Sequence, residues 1–217
     1  MLNPPLSLLS DYLLSYIVDH VAELPSSELD LYNLSITDRA FTRSCQAYIF
    51  KDLRFKLDNR GGHRENISRL IKMRNILNDE PSLANRVRTI RFTVEVKRYD
   101  LKWLFNDPNF ITIIQHLTKS LMPPHKLHLT GYYYVFTIED PIFVVGWLMK
   151  SFFSQTLTVL NLLSCRNVPL TLFLVCPNLR EVSMNNVKVF EPGHDGYPAS
   201  QRSGRELPAL EYMAYRH

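Results

Sequence analysis

The sequence predicts a mixed α+β or α/β repeat fold in two modules, with three short helices first and a series of strands and helices after them. Apolar residues in the first 56 positions recur every three or four residues, which is typical of helices. Beyond residue 87 the spacing changes repeatedly between the period of a strand and that of a helix. Two later strand-like segments start 22 residues apart and share a pattern, which indicates repeats.

The composition supports a folded protein with two different surfaces. The chain has 217 residues, of which 46% are hydrophobic, so it can bury a substantial core. Residues 1–54 hold seven acidic and four basic side chains, a net charge of −3, so the remainder of this +4 chain carries +7. This asymmetry is far short of the basic cluster of a nucleic-acid-binding tail, so no nucleic-acid partner is expected.

Two features favour a protein of the cytoplasm or nucleus. The N-terminal residues lack the basic region and long apolar core of a signal peptide, and the most apolar later run, residues 141–153, is too short to span a bilayer. The three cysteines, Cys45, Cys165 and Cys176, are odd in number and widely spaced, as expected for reduced thiols. No association with a membrane is therefore predicted.

The first module covers residues 1–56. Leu13, Ile17 and Val21 recur at helical spacing with Leu14 and Val18 beside them, which predicts a helix with one broad apolar stripe. Two further short helices are predicted from the apolar positions that follow: Leu29, Leu31, Leu34, Phe41, Cys45, Tyr48 and Ile49. So small a bundle cannot bury every one of these side chains, which leaves an apolar patch for a partner.

Residues 57–86 are interpreted as a linker and a connecting helix, because the helical pattern of residues 64–78 follows a glycine pair and ends before Pro81. The third segment, residues 87–217, alternates strands with helices. Strands are predicted at residues 87–96 and 126–129. The Asp-Pro pairs at residues 107–108 and 140–141 each predict a helix start. The first of these helices has its predicted core positions at Phe110, Ile113, Ile114, Leu117 and Leu121.

Three segments near the C-terminus share a strand pattern. They are Leu157-x-x-Leu160-x-Leu162, Leu179-x-x-Val182-x-Met184 and Leu207-x-x-Leu210-x-x-Met213, and residues 87–92 and 127–129 match more loosely. Each such unit has one apolar side that it cannot bury alone, so neighbouring units stack and their parallel strands line one concave surface. Exposed side chains on that surface are the expected binding site.

The pattern of reactive residues predicts no catalytic, metal or cofactor site. The seven histidines are scattered, the cysteines lack an activating neighbour in sequence, and no phosphate-binding loop is present. Arg88 and Arg91 fit either a solvated strand face or a patch that recognises an acidic or phosphorylated partner. Tyr132 and Tyr134 are candidates for the same interface, since tyrosine is enriched in protein contacts.

The first module resembles the F-box. That family begins with leucine-proline-x-glutamate-leucine-leucine, and here the opening is Leu9-Ser10-Asp11-Tyr12-Leu13-Leu14, with Ile17 after it. The leucine-rich middle is LDLYNLS at residues 29–35, and Arg39-Ala40-Phe41 takes the place of the basic-x-tryptophan element. Ser10 and Phe41 depart from the family pattern. Both are physically tolerable, because serine caps helices and phenylalanine keeps a large ring.

The later segments resemble leucine-rich repeats. Cys176-Pro177-Asn178-Leu179 is similar to the cysteine-proline-x-leucine step in the repeats of fungal F-box proteins. Together the two resemblances imply a three-helix F-box followed by an irregular leucine-rich-repeat arc over residues 87–217. The chain ends inside what resembles a repeat, so the arc is expected to be incomplete at its C-terminus.

The resemblance implies a substrate-recruiting subunit of an SCF-type cullin–RING ubiquitin ligase that performs no chemistry itself. A Skp-type adaptor, and through it a cullin, would be held by Leu9, Leu13, Leu14, Ile17, Leu31 and Leu34. The repeats would bind an unidentified protein target, with Arg88, Arg91, Tyr132 and Tyr134 as candidate contacts. The alternative is a leucine-rich-repeat scaffold without ligase association. An enzyme with a site assembled in space is disfavoured because the sequence has no catalytic motif.

Overall fold

The computed structural model divides the chain into two compact units, Met1–Asp52 and Leu53–His217. It describes residues 10–24, 27–57, 62–94, 102–131, 152–166, 168–169, 171–190 and 212–216. The first unit consists of helices in its described residues, and the second combines helices with a parallel sheet. The mixed helix-and-strand fold class predicted from the sequence is confirmed at this level.

The first unit contains the three predicted helices: α1 (Asp11–Ala22), α2 (Ser27–Thr37) and α3 (Arg39–Ile49). Ser10 caps α1 by accepting a hydrogen bond from the amide of Leu13 at 3.4 Å. Asp38 caps α3 through the amide of Ala40 at 2.8 Å. The buried core of this bundle consists of Leu14, Val18, Leu31, Phe41 and Cys45.

A polar contact joins the first and third helices. The hydroxyl of Tyr48 on α3 donates a hydrogen bond to the Asp19 carboxylate on α1. This bond raises the pKa of Tyr48 to about 12, because deprotonation would place two negative charges side by side. The ammonium of Lys51 lies 5.9 Å from the centre of the same ring.

The second unit alternates strands and helices as the sequence predicts. Its elements in chain order are β1 (Asp52–Leu57), α4 (Gly62–Asp79), a 3₁₀ helix (Pro81–Arg86), β2 (Thr89–Val94), α5 (Lys102–Asn106), α6 (Pro108–Thr118), β3 (Lys126–Gly131), β4 (Val159–Leu163), β5 (Val168–Pro169), α7 (Thr171–Leu174), β6 (Glu181–Asn185), β7 (Val189–Phe190) and β8 (Tyr212–Arg216). Asp107 caps α6 and Pro108 occupies its first turn, as the Asp-Pro signal indicates.

The main sheet is built by adding each strand beside the previous one. Its order is β1-β2-β3-β4-β6-β8, so the six strands follow one another in chain order, and β2 through β8 are paired in parallel. The short strands β5 and β7 form a separate parallel pair. A sheet that grows in one direction in this way is typical of a structure made from stacked repeats.

Only one face of the main sheet is fully buried in the described strands. Two apolar rows cross it, Ile90-Leu127-Leu160-Val182 and Phe92-Leu129-Leu162-Met184. On β8, Met213 and Tyr215 are the register partners of Val182 and Met184. On the four strands from β2 to β6 every member of these rows is buried. The side chains between them are mostly half-buried or exposed. A parallel sheet covered on both faces would instead carry near-continuous apolar strands.

Aromatic rings fill the buried side of the sheet at its β1 end. The ring of Phe55 on β1 stacks on Phe92 of β2 with centroids 5.0 Å apart, and it meets Phe110 of α6 edge-to-face at 5.2 Å. Phe105 of α5 lies 5.9 Å from the Phe110 ring. These contacts attach α5 and α6 to the sheet.

The same turn recurs where each parallel strand begins. The backbone carbonyl of the residue before the strand accepts two amide hydrogen bonds from the next strand. Arg88, His125 and Thr158 each supply such a carbonyl, with N···O distances between 2.9 and 3.2 Å. At the strand ends, Ser164 and Asn186 both have positive φ angles, 53° and 51°. These two positions lie 22 residues apart, which confirms the spacing of the two clearest predicted segments.

Two predictions from the sequence were wrong in detail. Leu121 was assigned to the core face of α6, but this helix ends at Thr118 and Leu121 is 89% exposed. The last strand pairs Met213 with Val182 and Tyr215 with Met184, so Met213 occupies the repeat position that was assigned to Leu210. Residues 207–210 and all but Phe152 of the helix predicted at residues 142–152 lie outside the described residues.

Two adjacent leucines on β4 test which face of the sheet contributes more to the free energy of unfolding. Leu162 is 2% exposed and Leu163 is 42% exposed. Leu162→Ala should destabilise the second unit by about 2–5 kcal/mol, because it leaves a cavity between two packed strands. Leu163→Ala should cost about 0.5 kcal/mol or less.

Urea unfolding followed by tryptophan fluorescence measures this difference, since both tryptophans belong to the second unit. Equal effects of the two substitutions would contradict the burial of a single face.

Candidate functional site

One exposed apolar surface of the first unit lies on α1. Leu14 and Val18 of this helix point into the bundle core. Tyr12, Leu13, Tyr16 and Ile17 lie on the other side, with exposed fractions between 36% and 77%. Their spacing of i, i+1, i+4 and i+5 places them on one face of the helix. They are called the α1 face.

A second exposed surface lies on α2. Leu29, Tyr32 and Ile36 recur at i, i+3 and i+7, and their exposed fractions are between 56% and 66%. They are called the α2 face. Leu31 is buried in the core and Leu34 is half-buried beside it. Clusters of exposed apolar side chains are typical of surfaces that bind other proteins.

The six residues predicted to contact an adaptor are divided between these surfaces and the core. Leu13 and Ile17 belong to the α1 face and are exposed. Leu14 and Leu31 are core residues, and Leu34 packs against the core. Leu9 lies outside the described residues. The single broad stripe expected on α1 is therefore two surfaces, of which one stabilises the bundle and the other is exposed.

Sequence reasoning did not assign Tyr12, Tyr16, Tyr32 or Ile36 to a binding surface. The spacing of Leu29, Tyr32 and Ile36 could have revealed the α2 face, because these positions repeat at helical distances. The α1 tyrosines gave a weaker signal. They are adjacent in sequence to leucine and isoleucine, so apolar spacing alone does not distinguish the exposed face from the buried one.

The half-buried face of the main sheet carries a polar row. Arg91 on β2, His128 on β3, Asn161 on β4 and Ser183 on β6 are register partners on neighbouring strands. The guanidinium of Arg91 lies 3.3 Å from Nδ1 of His128. The amide nitrogen of Asn161 lies 3.3 Å from the same Nδ1 and 3.2 Å from Nε2. These four residues are called the polar row.

The residues on either side of the polar row set its charge. Towards the strand starts, Lys126 and Glu181 are exposed on β3 and β6, with Val159 buried between them on β4. Towards the strand ends, Thr130 and Leu163 are register partners on β3 and β4. Among the side chains of β2, β3, β4 and β6 on this face, the positive ones therefore lie on β2 and β3, and the negative one lies on β6.

The two arginines predicted to bind a target have different environments. The guanidinium of Arg88 donates hydrogen bonds to the backbone carbonyls of Asn85 at 2.7 Å, Val87 at 3.2 Å and Met122 at 3.0 Å. These bonds hold the segment after α6 against the 3₁₀ helix, so Arg88 stabilises the fold. Arg91 instead belongs to the polar row. Tyr132 and Tyr134 lie outside the described residues.

A groove of about 470 Å³ lies between the 3₁₀ helix and the end of α6. It is lined by Pro81, Ser82, Asn85, Thr112, Gln115, His116, Lys119, Ser120 and Leu121. The His116 ring is already bonded to the Asn78 side chain at 2.8 Å, and Asn85 accepts a hydrogen bond from the amide of Leu121 at 2.9 Å. Among the described residues, no group of three or more His, Cys, Asp or Glu side chains could hold a metal ion.

The three thiols are buried and unsuited to nucleophilic chemistry. Burial raises the pKa of Cys45, and it raises the pKa of both Cys165 and Cys176 to about 12. A thiol with so high a pKa remains protonated at neutral pH, whereas the thiolate is the reactive form. All three are free cysteines.

No protein-family model, curated protein or solved structure gives a significant match to this chain. In the part of the chain that the structure describes, none of the helices has the length and apolar character needed to cross a membrane.

The thiol environments predict slow modification of the native protein. At about pH 8, Cys45, Cys165 and Cys176 should react with a disulfide reagent far more slowly than a free thiol, because the native fold buries and protonates them. All three should react at once in concentrated guanidinium chloride. Counting modified thiols by mass spectrometry checks both states. One thiol that reacts rapidly in the native state would contradict this assignment.

Proposed function

We propose that this chain is a substrate-recruiting F-box subunit of an SCF-type ubiquitin ligase. The α1 and α2 faces would bind a Skp-type adaptor, and the second unit would act as an irregular leucine-rich-repeat arc that binds a protein target. The observation that carries the proposal is the pair of exposed apolar faces on a bundle whose sequence resembles the F-box. The chain would perform no chemistry, and it would be linked to a cullin through the adaptor.

The energetics of the two helical faces favour a role in protein binding. Burying one large apolar side chain contributes roughly 1.5–3 kcal/mol, and these faces expose seven such residues. Association costs an estimated 4–15 kcal/mol in lost translational and rotational freedom. The gross gain from covering both faces is therefore large enough to offset this cost. A surface of this kind supports stable docking better than a transient polar encounter.

The architecture of the second unit supports a repeat arc. Its strands are added in chain order, one face of the sheet is buried, and the same turn recurs before successive strands. The half-buried face that carries the polar row corresponds to the concave, partner-binding side of such an arc. Holding a target on this face while the first unit is docked would raise its effective concentration near the ubiquitin-charged enzyme.

The adaptor assignment is tested by charging the α1 face. The double substitution Leu13→Asp with Ile17→Asp in the full chain should weaken binding of a purified Skp-type adaptor by about a hundredfold or more, because it places two charges in an apolar contact. Isothermal titration calorimetry measures the affinity. Leu14 is unsuitable for this test, since it lies in the bundle core and its replacement by aspartate would unfold the first unit.

The matched control is Ser15→Asp with Ala47→Asp. It adds the same two charges to the same unit at exposed positions outside both faces. This variant should bind the adaptor within about threefold of the original chain. Circular dichroism verifies that both variants keep their helices. A folded original chain without affinity for the adaptor, or unchanged binding by the α1-face variant, would refute the ligase role.

A further inference from the structure

We propose that the polar row, together with Leu163, binds an extended peptide segment of the target in which a carboxylate side chain lies three or four positions from an apolar one. The carboxylate would lie over β2 and β3 and contact Arg91, and the apolar side chain would cover Leu163 on β4. This inference rests on the proposed function, because it takes the half-buried sheet face as the target-binding side.

The polar row differs from an ordinary solvated strand face. Such faces usually carry long charged side chains whose ends extend into water. Here the central positions of three adjacent strands are His128, Asn161 and Ser183, which are short, polar and half-buried. Two of them are held by contacts of 3.2–3.3 Å that continue to Arg91. Side chains fixed in this way lose little conformational entropy when a ligand binds.

The charge distribution on this face selects an anionic group over β2 and β3. Arg91 and Lys126 are the basic side chains on this side of these two strands, and Glu181 lies on β6. Neighbouring strands are about 4.8 Å apart, so β6 lies roughly 14 Å from β2 across the sheet. An acidic group above Arg91 is therefore close to basic side chains and distant from Glu181. The guanidinium has five donors, so it can bind a carboxylate in addition to its existing contacts.

The position of Leu163 sets the length of the recognised segment. This side chain lies two strands from Arg91 and one row nearer the strand ends. Two strand spacings of about 4.8 Å and two residue rises of about 3.3 Å place it roughly 12 Å from Arg91. An extended peptide covers the same distance in three to four residues. Between these two anchors, the amide of Asn161 can bond the peptide backbone, as polar groups commonly do in peptide recognition.

The test uses the purified full chain and synthetic fluorescein-labelled peptides of about ten residues. Each peptide has a Gly/Ser/Ala background, one leucine, and one variable residue placed three or four positions to either side of it. The variable residue is glutamate, glutamine or phosphoserine. Fluorescence anisotropy should show that the glutamate peptide at the favoured spacing binds at least about tenfold tighter than its glutamine counterpart, since a charge-assisted hydrogen bond is lost.

Two variants locate the binding groups. Arg91→Gln should reduce the affinity for the glutamate peptide to that for the glutamine peptide. Leu163→Ser should weaken both peptides by similar factors. The matched control is Arg64→Gln, which removes the same charge from an exposed position on α4. It should leave every affinity unchanged. Thermal unfolding verifies that each variant is folded.

Equal affinities for glutamate and glutamine peptides would overturn the proposal. So would a preference for glutamate that survives Arg91→Gln, or a folded chain that binds none of the peptides at millimolar concentration. Binding of the phosphoserine peptides alone would overturn the assignment of a carboxylate. The adaptor is absent from this assay. If the chain binds the adaptor but none of the peptides, only this inference is refuted. If it binds the peptide but not the adaptor, the proposed ligase role is refuted.

Discussion

The in-register stacking of two apolar rows is the constraint on which the second unit depends. Each row takes one residue from each parallel strand, and a residue such as Leu160 is buried because Leu127 and Val182 flank it on the neighbouring strands. A single strand with its connecting helix could not bury these side chains alone. Because side chains alternate along a strand, the same register also aligns the residues of the opposite face. Burial of the apolar rows therefore fixes the strand register, and this register aligns the residues of the polar row.

The first unit has more exposed large apolar side chains on its helices than buried ones in its core. Five of its described residues form the buried core, whereas seven large apolar side chains remain exposed on the α1 and α2 faces. The contact between Tyr48 and Asp19 and the caps at Ser10 and Asp38 add polar support to this small bundle. The apolar side chains of α1 and α2 are therefore divided between the bundle core and the exposed faces. The proposed adaptor would cover this exposed surface.

The sequence predicted the elements of the fold more fully than the roles of individual residues. Strand alternation in residues 89–94 and the Asp-Pro start of α6 depend on local chemistry, so they were readable from the sequence. The division between Leu14 and Leu13 was not. Both lie within one wide apolar stripe, and only packing against α2 and α3 decides which side is buried. Leu121 was misassigned because α6 ends at Thr118. Beyond this end, the backbone amide of Leu121 donates a hydrogen bond to the side chain of Asn85.

The polar row could not be read from the sequence because its members are separated by 22 to 37 residues and meet only through strand register. The different environments of Arg88 and Arg91 also could not be read from the sequence. Arg88 precedes its strand and its guanidinium is bonded to backbone carbonyls, whereas Arg91 lies within the strand and contacts the His128 side chain on the next one. Position relative to the strand start therefore decides which arginine binds backbone carbonyls and which lies on the sheet face. In the proposed role, the apolar helical faces would provide binding energy with little directional demand, and the polar row would provide directional contacts with little buried area. If the two surfaces act as proposed, substitutions in the polar row would change the choice of target without altering the contacts of the helical faces with the adaptor.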